Sequence, residues 1–265
     1  DYPAWFGKKK RSFNFNSQSS FSGSLNEELL TKPSAWYIFK TVLRNTVAIK
    51  LEGVFMAKRV EGMTEKLQEQ AMQEFCQHGY MGASLRTISE KAGTTPRSIY
   101  TRYGDKEGLF SALVSDCADT LKDLIGNYME GYVARPVDEQ KMLFHDEKFD
   151  AEYQGYIREI IGYIYDNWDV VKLLVCKSEG TRYSAFIDEI VDIDEKYTLK
   201  YIETTGNDVL ASGRATKPLV HLLCSSFIHG FFEFVRHDME RDEAERYIVQ
   251  LQGFFACGWD RLFNP

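Results

Sequence analysis

Around residue 93 the chain carries a helix stop and a helix start almost on top of each other, and this limits its fold more than any other feature. Ser84 can cap "LRTISEKAG", in which Leu85, Ile88 and Ala92 share one face, and Gly93 supplies the left-handed residue that ends such a helix. Only Thr94 intervenes before Thr95, a second capping residue, and Pro96, whose missing N–H and preset φ suit the first helical position. Two helices joined this tightly cross at a steep angle. The pattern predicts a helix-turn-helix.

A third helix completes the unit. In "EGMTEKLQEQAMQEFCQHGY", Leu67, Ala71, Phe75 and Cys76 recur at helical spacing, Thr64 is an available cap and Gly79 a stop. On the helix begun by Pro96, Ile99 and Tyr103 point back toward Phe75, Leu85 and Ile88. This leaves Arg97, Ser98, Thr101 and Arg102 outward, able to donate to guanine edges and phosphates and to touch a thymine methyl in a major groove. Thr95, at the tip of the turn, belongs to the same DNA-facing set. Arg86 and Lys106 flank it as phosphate grips, and Ser84 with its neighbouring free N–H groups can serve likewise. An ordinary solvated helix face is the bland alternative; the coincidence of caps, turn and paired cations argues against it.

Net charge does not veto this. The chain totals −7, yet the excess of acid lies after residue 108, where 28 anions face 16 cations. Residues 84–106 hold Arg86, Lys91, Arg97, Arg102 and Lys106 against Glu90 and Asp105. A basic island on an acidic molecule binds a polyanion locally while the remainder repels non-specific contact.

The stretch "AMQEFCQHGYMGASLRTISEKAGTTPRSIYTRYGDKEGLFSALV" resembles the TetR family of bacterial transcription regulators, in its aliphatic and aromatic first helix, "HGY", Ser-led second helix, "AG", short turn, "IY" and "DKEGLF". The resemblance implies that Arg97, Ser98, Thr101 and Arg102 fall where bases or adjoining phosphates are read. Tyr100 and Lys106 then fall on phosphate-contacting positions. Departures are small: "TT" stands where Val-Ser is commoner, and Ser98 where Gly or Ala is frequent, which bears on the operator chosen and not on docking.

Three zones follow. Residues 1–55 begin with "KKKR", continue through "SFNFNSQSSFSGS", and show no clean helical stripe and no secretory signal. They are expected to be a poorly structured extension outside the native chain, Met56 being a plausible native start; the competing view is a flexible basic arm that adds phosphate contacts. Residues 56–108 form the DNA-binding head. Residues 109–265 form a helical ligand-binding and dimerisation body, so the predicted fold class is all-α.

In the body, a helix capped by Asp105 carries Leu109, Phe110, Leu113 and Val114 to about Glu130. Residues 131–150 read as a loop or short irregular helix. Ile157, Ile160, Ile161 and Ile164 mark the next helix, "DVVKLLVC" another from Asp169, and Tyr183 to Tyr201 a long one. Pro218 opens a helix with Leu219, Val220, Leu223, Phe227, Phe231 and Val235, and Tyr247 to Leu262 stripe the last. These two form an antiparallel hairpin, and small residues Ser226, Gly230 and Gly253 admit close approach of another helix. The expected dimer interface is Leu223, Ser226, Phe227, Gly230, Phe231, Leu251, Phe254, Phe255 and Trp259, as TetR relatives dimerise; burial of both stripes within one monomer is the alternative. Tyr128, Tyr156, Tyr163, Tyr165, Trp168 and Phe186 are candidate contacts for a small, largely apolar effector.

Enzyme chemistry finds little footing. "KSEGTRY" offers Ser178, Glu179 and Thr181 without a nucleophile elbow or phosphate loop. His221, His229 and His237 recur every eight residues, too far apart for a two-histidine metal site. No metal or cofactor is expected. Scattered cysteines (Cys76, Cys117, Cys176, Cys224, Cys257) suit a reducing compartment, and no uninterrupted apolar run suggests a membrane span, so a cytoplasmic protein is expected. The expected function is a homodimeric repressor released from a palindromic DNA operator by a small molecule; a helical architectural or adaptor protein without that switch is the rival.

Overall fold

A computed structural model of the chain describes residues 62–141 and 147–265. The chain divides into units Asp1–Arg59 and Val60–Pro265. The expectations for the N-terminal extension and for Met56 lie outside the described residues.

Every regular element among the described residues is helical. The head comprises α1 (Met63–Gly82), α2 (Leu85–Lys91) and α3 (Pro96–Tyr103). α1 begins one residue before Thr64 and runs three past Gly79, which nevertheless breaks the regular backbone with φ 67°. Ser84 Oγ accepts from Thr87 N at 3.3 Å, and Gly93 takes φ 73°, as the stop-and-start reading requires. Thr95 occupies the cap position of α3 without a side-chain cap bond. Leu67, Ala71, Phe75, Ile88 and Ile99 are fully buried and make the small core on which α3 rests.

α4 (Lys106–Val133) is the spine of the molecule. Asp105 Oδ1 accepts from Gly108 N at 2.7 Å and starts it sharply after Gly104. At 28 residues it spans about 42 Å, from a rise of ~1.5 Å per residue. Leu109 and Phe110 close the head core, Phe110 meeting Phe75 edge-on with ring centroids 5.2 Å apart.

Around it pack α5 (Val137–Lys141), α6 (Glu147–Asp166), α7 (Trp168–Cys176), a 3₁₀ turn (Arg182–Ala185), α8 (Phe186–Thr205), α9 (Lys217–Phe231), α10 (Glu233–Arg236) and α11 (Arg241–Phe263). Ile157, Ile160, Ile161 and Ile164 are buried, as their spacing predicts. Several boundaries differ from the sequence reading: α6 begins at Glu147, inside the stretch 131–150 expected to be loop or short irregular helix, α7 begins at Trp168 and not Asp169, and a 3₁₀ turn precedes α8 so that the long helix starts at Phe186 and not Tyr183. α4 runs three residues past Glu130, and the helix begun at Pro218 breaks at Phe232 instead of continuing through Val235. The break lets Phe231, Phe232 and Phe234 all turn inward.

α9 and α11 run antiparallel, since Phe227 meets Phe255 (5.3 Å between centroids) while Tyr247 Oη donates to Gly230 O at 2.7 Å. Lys217–Arg236 also has the length and apolarity of a membrane span, although charged and polar side chains interrupt its apolar run. Core helices of globular proteins share that composition, and here Val220, Cys224 and Ile228 are buried within the bundle.

Candidate functional site

The outer surface of the head is built on α3. Ile99 anchors it, and Thr95, Arg97, Tyr100 and Thr101 are exposed, Tyr100 by 53%. Arg97 makes no side-chain hydrogen bond or ion pair among the described residues. Its guanidinium has all donors free. Thr101 Oγ1 donates back to Arg97 O at 2.8 Å, leaving its lone pairs available.

Arg102 behaves differently from the outward group that the spacing predicts. Its Nη1 donates to Ser98 O at 3.2 Å and also to Ser98 Oγ, while Nε is buried without a partner among the described residues. The side chain lies along its own helix, so Ser98 and Arg102 form one half-buried unit. The i, i+4 spacing that puts both on one face also lets the longer reach the shorter.

The flanking cations are held in part. Arg86 Nε pairs with Glu90 Oε1 at 2.8 Å, with the Arg86 side chain 81% exposed, a surface pair that a phosphate can outcompete. Lys106 Nζ donates to Met81 O at 3.2 Å and lies 4.8 Å from the Tyr80 ring centre. Burial there lowers its pKa, opposed by the Glu74 carboxylate.

Three positioning features carry no sequence motif. Buried Glu74 accepts from Ser84 N at 3.2 Å and from Lys91 Nζ at 3.4 Å, tying α1 to both ends of α2. Gly108 lies against the end of α3: a Cβ there would stand 1.8 Å from Tyr103 O. "KSEGTRY", weighed in the sequence only for catalysis, clasps head to body. Tyr80 N donates to Lys177 O at 3.0 Å and Arg182 N to Glu107 Oε1 at 3.0 Å, while Thr181 Oγ1 donates to Ser178 O at 2.7 Å.

A second candidate site is a cavity of about 590 Å³ in the body, walled by α4, α6, α8, α9 and α11. Tyr128 and Tyr156, both expected, line it and stack at 3.8 Å between centroids. The other four candidates do not line it. Tyr165 and Trp168 stack together with Phe234, Tyr165 Oη donating to Met239 O at 2.7 Å. Phe186 is buried against Phe232, and Tyr163 hydrogen-bonds the Cys117 thiol. The lining that sequence reasoning missed includes Tyr132, Tyr153, Tyr197, Tyr201 and Asp194.

The expected dimer residues divide by exposure. Phe254 is 75% exposed, Ser226 is exposed, and Leu223 is half-buried; Leu222 (59%) and Val249 (49%), not foreseen, extend the apolar face. Phe231 instead turns inward to the cavity, and Phe227, Phe255 and Trp259 border both cavity and surface. Gly230 serves the hairpin itself, a Cβ there standing 3.3 Å from Leu251 Cδ2. The three α9–α10 histidines each sit beside a carboxylate: His221 by Glu195 (2.8 Å), His229 by Asp188 (3.6 Å) and His237 by Glu233 (3.0 Å).

A capped helix-turn-helix docked on a long helix that ends in a cavity-bearing bundle defines a two-part, all-α architecture. Residues 67–113 match the family model for bacterial regulatory proteins of the tetR family. Over those residues, its head is similar to the DNA-binding part of that family. It is similar to the HTH-type transcriptional repressor AcnR of Corynebacterium glutamicum, 34% identical over 61 residues, 23% of this chain and 32% of the relative. Against AcnR of Corynebacterium diphtheriae it is 33% identical over 86 residues, 32% of this chain and 43% of the relative. The alignments thus span between about a third and two fifths of the relatives' length. Two solved structures are similar at 17% identity. One is assigned as a TetR-family transcriptional regulator of Mesorhizobium loti (TM-score 0.42, 76% of this chain and 98% of that one). The other is NalD, the secondary repressor of the MexAB-OprM multidrug efflux pump in Pseudomonas aeruginosa (TM-score 0.36, 72% and 95%).

Proposed function

We propose that this chain is a DNA-binding transcriptional regulator, a repressor that grips a palindromic operator as a homodimer and lets go when a small molecule enters the body. The observation that carries the reading is Arg97, a cation with every donor free among the described residues, on the exposed face of a helix whose other face is locked into a core. Such a helix lies in the major groove, with Arg97 donating to a guanine edge and Arg86, Tyr100 and Lys106 holding phosphates on either side. The relatives named as repressors support the direction of control.

α4 supports the switch. Its first turns close the head core, and Ile125, Tyr128, Met129 and Tyr132 near its far end line the cavity. An effector that binds more tightly when those residues sit differently shifts the helix and so the head. It lowers operator affinity by its differential affinity for the two states. This favours a ligand-responsive regulator over an architectural protein.

Selection of bound duplexes from a random pool tests the reading. The expected product is a palindrome with half-sites about 34 Å apart, one helical turn. Recovery of single, non-repeated sites, or of no sequence preference, defeats it.

A further inference from the structure

The chemistry of the cavity wall narrows the effector. Among the described lining residues are six tyrosines, five phenylalanines, Trp259 and two carboxylates, Asp194 and Asp260, and no lysine, arginine or histidine. Asp260 accepts from Asn264 Nδ2 at 2.9 Å at the end of α11. Asp194 has no cation within ion-pair distance among the described residues; the thiol of Cys224 hydrogen-bonds it. Burial raises its carboxyl pKa to about 6, so it is still ionised at neutral pH. A carboxylate facing an apolar chamber without a counter-ion is costly to keep.

Next to it stand the aromatic rings. Tyr153 and Tyr156 are close enough for the Asp194 charge to raise their phenol pKa values. Tyr128, Tyr153 and Tyr156 pack with centroids 3.8–5.9 Å apart. Ring faces attract cations and repel anions, and the Asp194 carboxylate reinforces that preference. The Tyr132 hydroxyl is already given to Gln140 O at 2.5 Å, while the buried Tyr128 hydroxyl has no partner among the described residues and can turn its lone pairs or its O–H to a ligand, so the sign of the preferred charge rests on the Asp194 carboxylate and the ring faces. The volume, about 590 Å³, suits an organic molecule and is far larger than a metal ion needs.

Resting on the reading of the cavity as an effector site, we infer that the effector is a lipophilic cation, an organic amine, ammonium or phosphonium whose positive centre is held by Asp194 within the Tyr128–Tyr153–Tyr156 cluster. Its apolar groups fill the rest of the chamber toward Phe231 and Trp259. The neutral form of such a ligand leaves the carboxylate unpaired and binds less tightly.

Tetraphenylphosphonium and tetraphenylborate have the same shape and opposite charge, so titrating each into the purified chain by calorimetry isolates the sign of the charge. The phosphonium is expected to bind at least about tenfold more tightly. Asp194→Asn should bring the two to within about threefold and Asp194→Glu should keep most of the difference, with circular dichroism verifying that each variant is folded. Equal or borate-favouring affinity in the natural chain overturns the cation assignment and leaves an effector pocket standing. Preference for phosphonium that persists in Asp194→Asn removes Asp194 from the recognition. Binding of neither probe defeats the inference and the pocket reading together. The comparison on the natural chain decides the matter even if both variants unfold.

Discussion

Arg97 and Arg102 sit five positions apart on one two-turn helix and are not equivalent. Arg97 makes no side-chain bond among the described residues, whereas Arg102 is hydrogen-bonded to Ser98. Arg97→Ala should therefore weaken binding to the selected operator by about 1–3 kcal/mol, the worth of one good base contact, and leave the melting temperature unchanged. Fluorescence anisotropy with labelled duplex measures the first and calorimetry the second; undiminished affinity means that another helix does the reading. Asp194 makes a second residue-scale prediction. Around it stand Tyr153 and Tyr156 of α6, Tyr128 of α4, Cys224 of α9 and Thr198 of its own helix, with no described cation. Because burial lifts its pKa from 3.8 to about 6, the folded chain keeps a proton that the unfolded chain has released between those values. Stability contributed by this group thus falls as pH rises from about 4 to 6, and the full cost, about 3 kcal/mol, persists above. Asp194→Asn should raise the melting temperature at pH 7.5 and change it little at pH 4. An equal effect at both pH values contradicts the assignment.

At the scale of elements, the junction between α3 and α4 is the tightest in the head. A Cβ on Gly108 would stand 1.8 Å from the carbonyl oxygen of Tyr103, and backbone cannot yield as a flexible side chain can. Gly108→Ala should force α4 away from α3 and destabilise the fold by several kcal/mol; Gly126→Ala, where no described atom lies within 4 Å, is the control and should be neutral or stabilising. Equal melting temperatures for the two variants would exclude this close approach. Sequence reading finds the caps at Ser84 and Asp105 and the left-handed Gly93 because those signals are local, each a side chain or φ acting on its own next few residues. It passes over Gly108 because the group that forbids a side chain there belongs to the preceding helix. The cavity shows the same limit. A 3.6-residue period says that Tyr128, Tyr156, Tyr165 and Phe186 all face inward, but not which inward face is left incompletely filled. Tyr165 is occupied by Trp168 and Phe234, whereas Tyr128 and Tyr156 border open space. Asp194 escaped notice since one acid in "IVDIDEK" looks like its exposed neighbour Asp192 until α6 and α9 close over it.

For the whole molecule, the question is what covers the outer face of the α9–α11 hairpin. Leu222, Val249 and Phe254 are 59%, 49% and 75% exposed, and with Leu219 and Ser226 they form an apolar face that the monomer leaves to solvent. Large exposed apolar patches on water-soluble proteins mark interaction sites, and two copies of an antiparallel hairpin can meet about a two-fold axis as a four-helix bundle. The proposed operator recognition requires that pairing, because one small head makes too few base contacts for selective binding while two heads on a fixed body select by spacing as well. The double substitution Leu222→Asp with Phe254→Asp places four like charges at the centre of the proposed dimer, away from the head; neither residue lines the Asp194 chamber, although the Phe254 ring meets that of the lining Phe255 edge-on. Sedimentation should report a monomer, circular dichroism an unchanged helical content, and anisotropy a drop in operator affinity to the weak binding of an isolated head, with phosphonium affinity retained. A dimer that survives the four charges moves the interface elsewhere. Monomers that still bind the full palindrome as tightly as the natural chain show that the heads read DNA independently, and the coupling of spacing to effector is then without a mechanism.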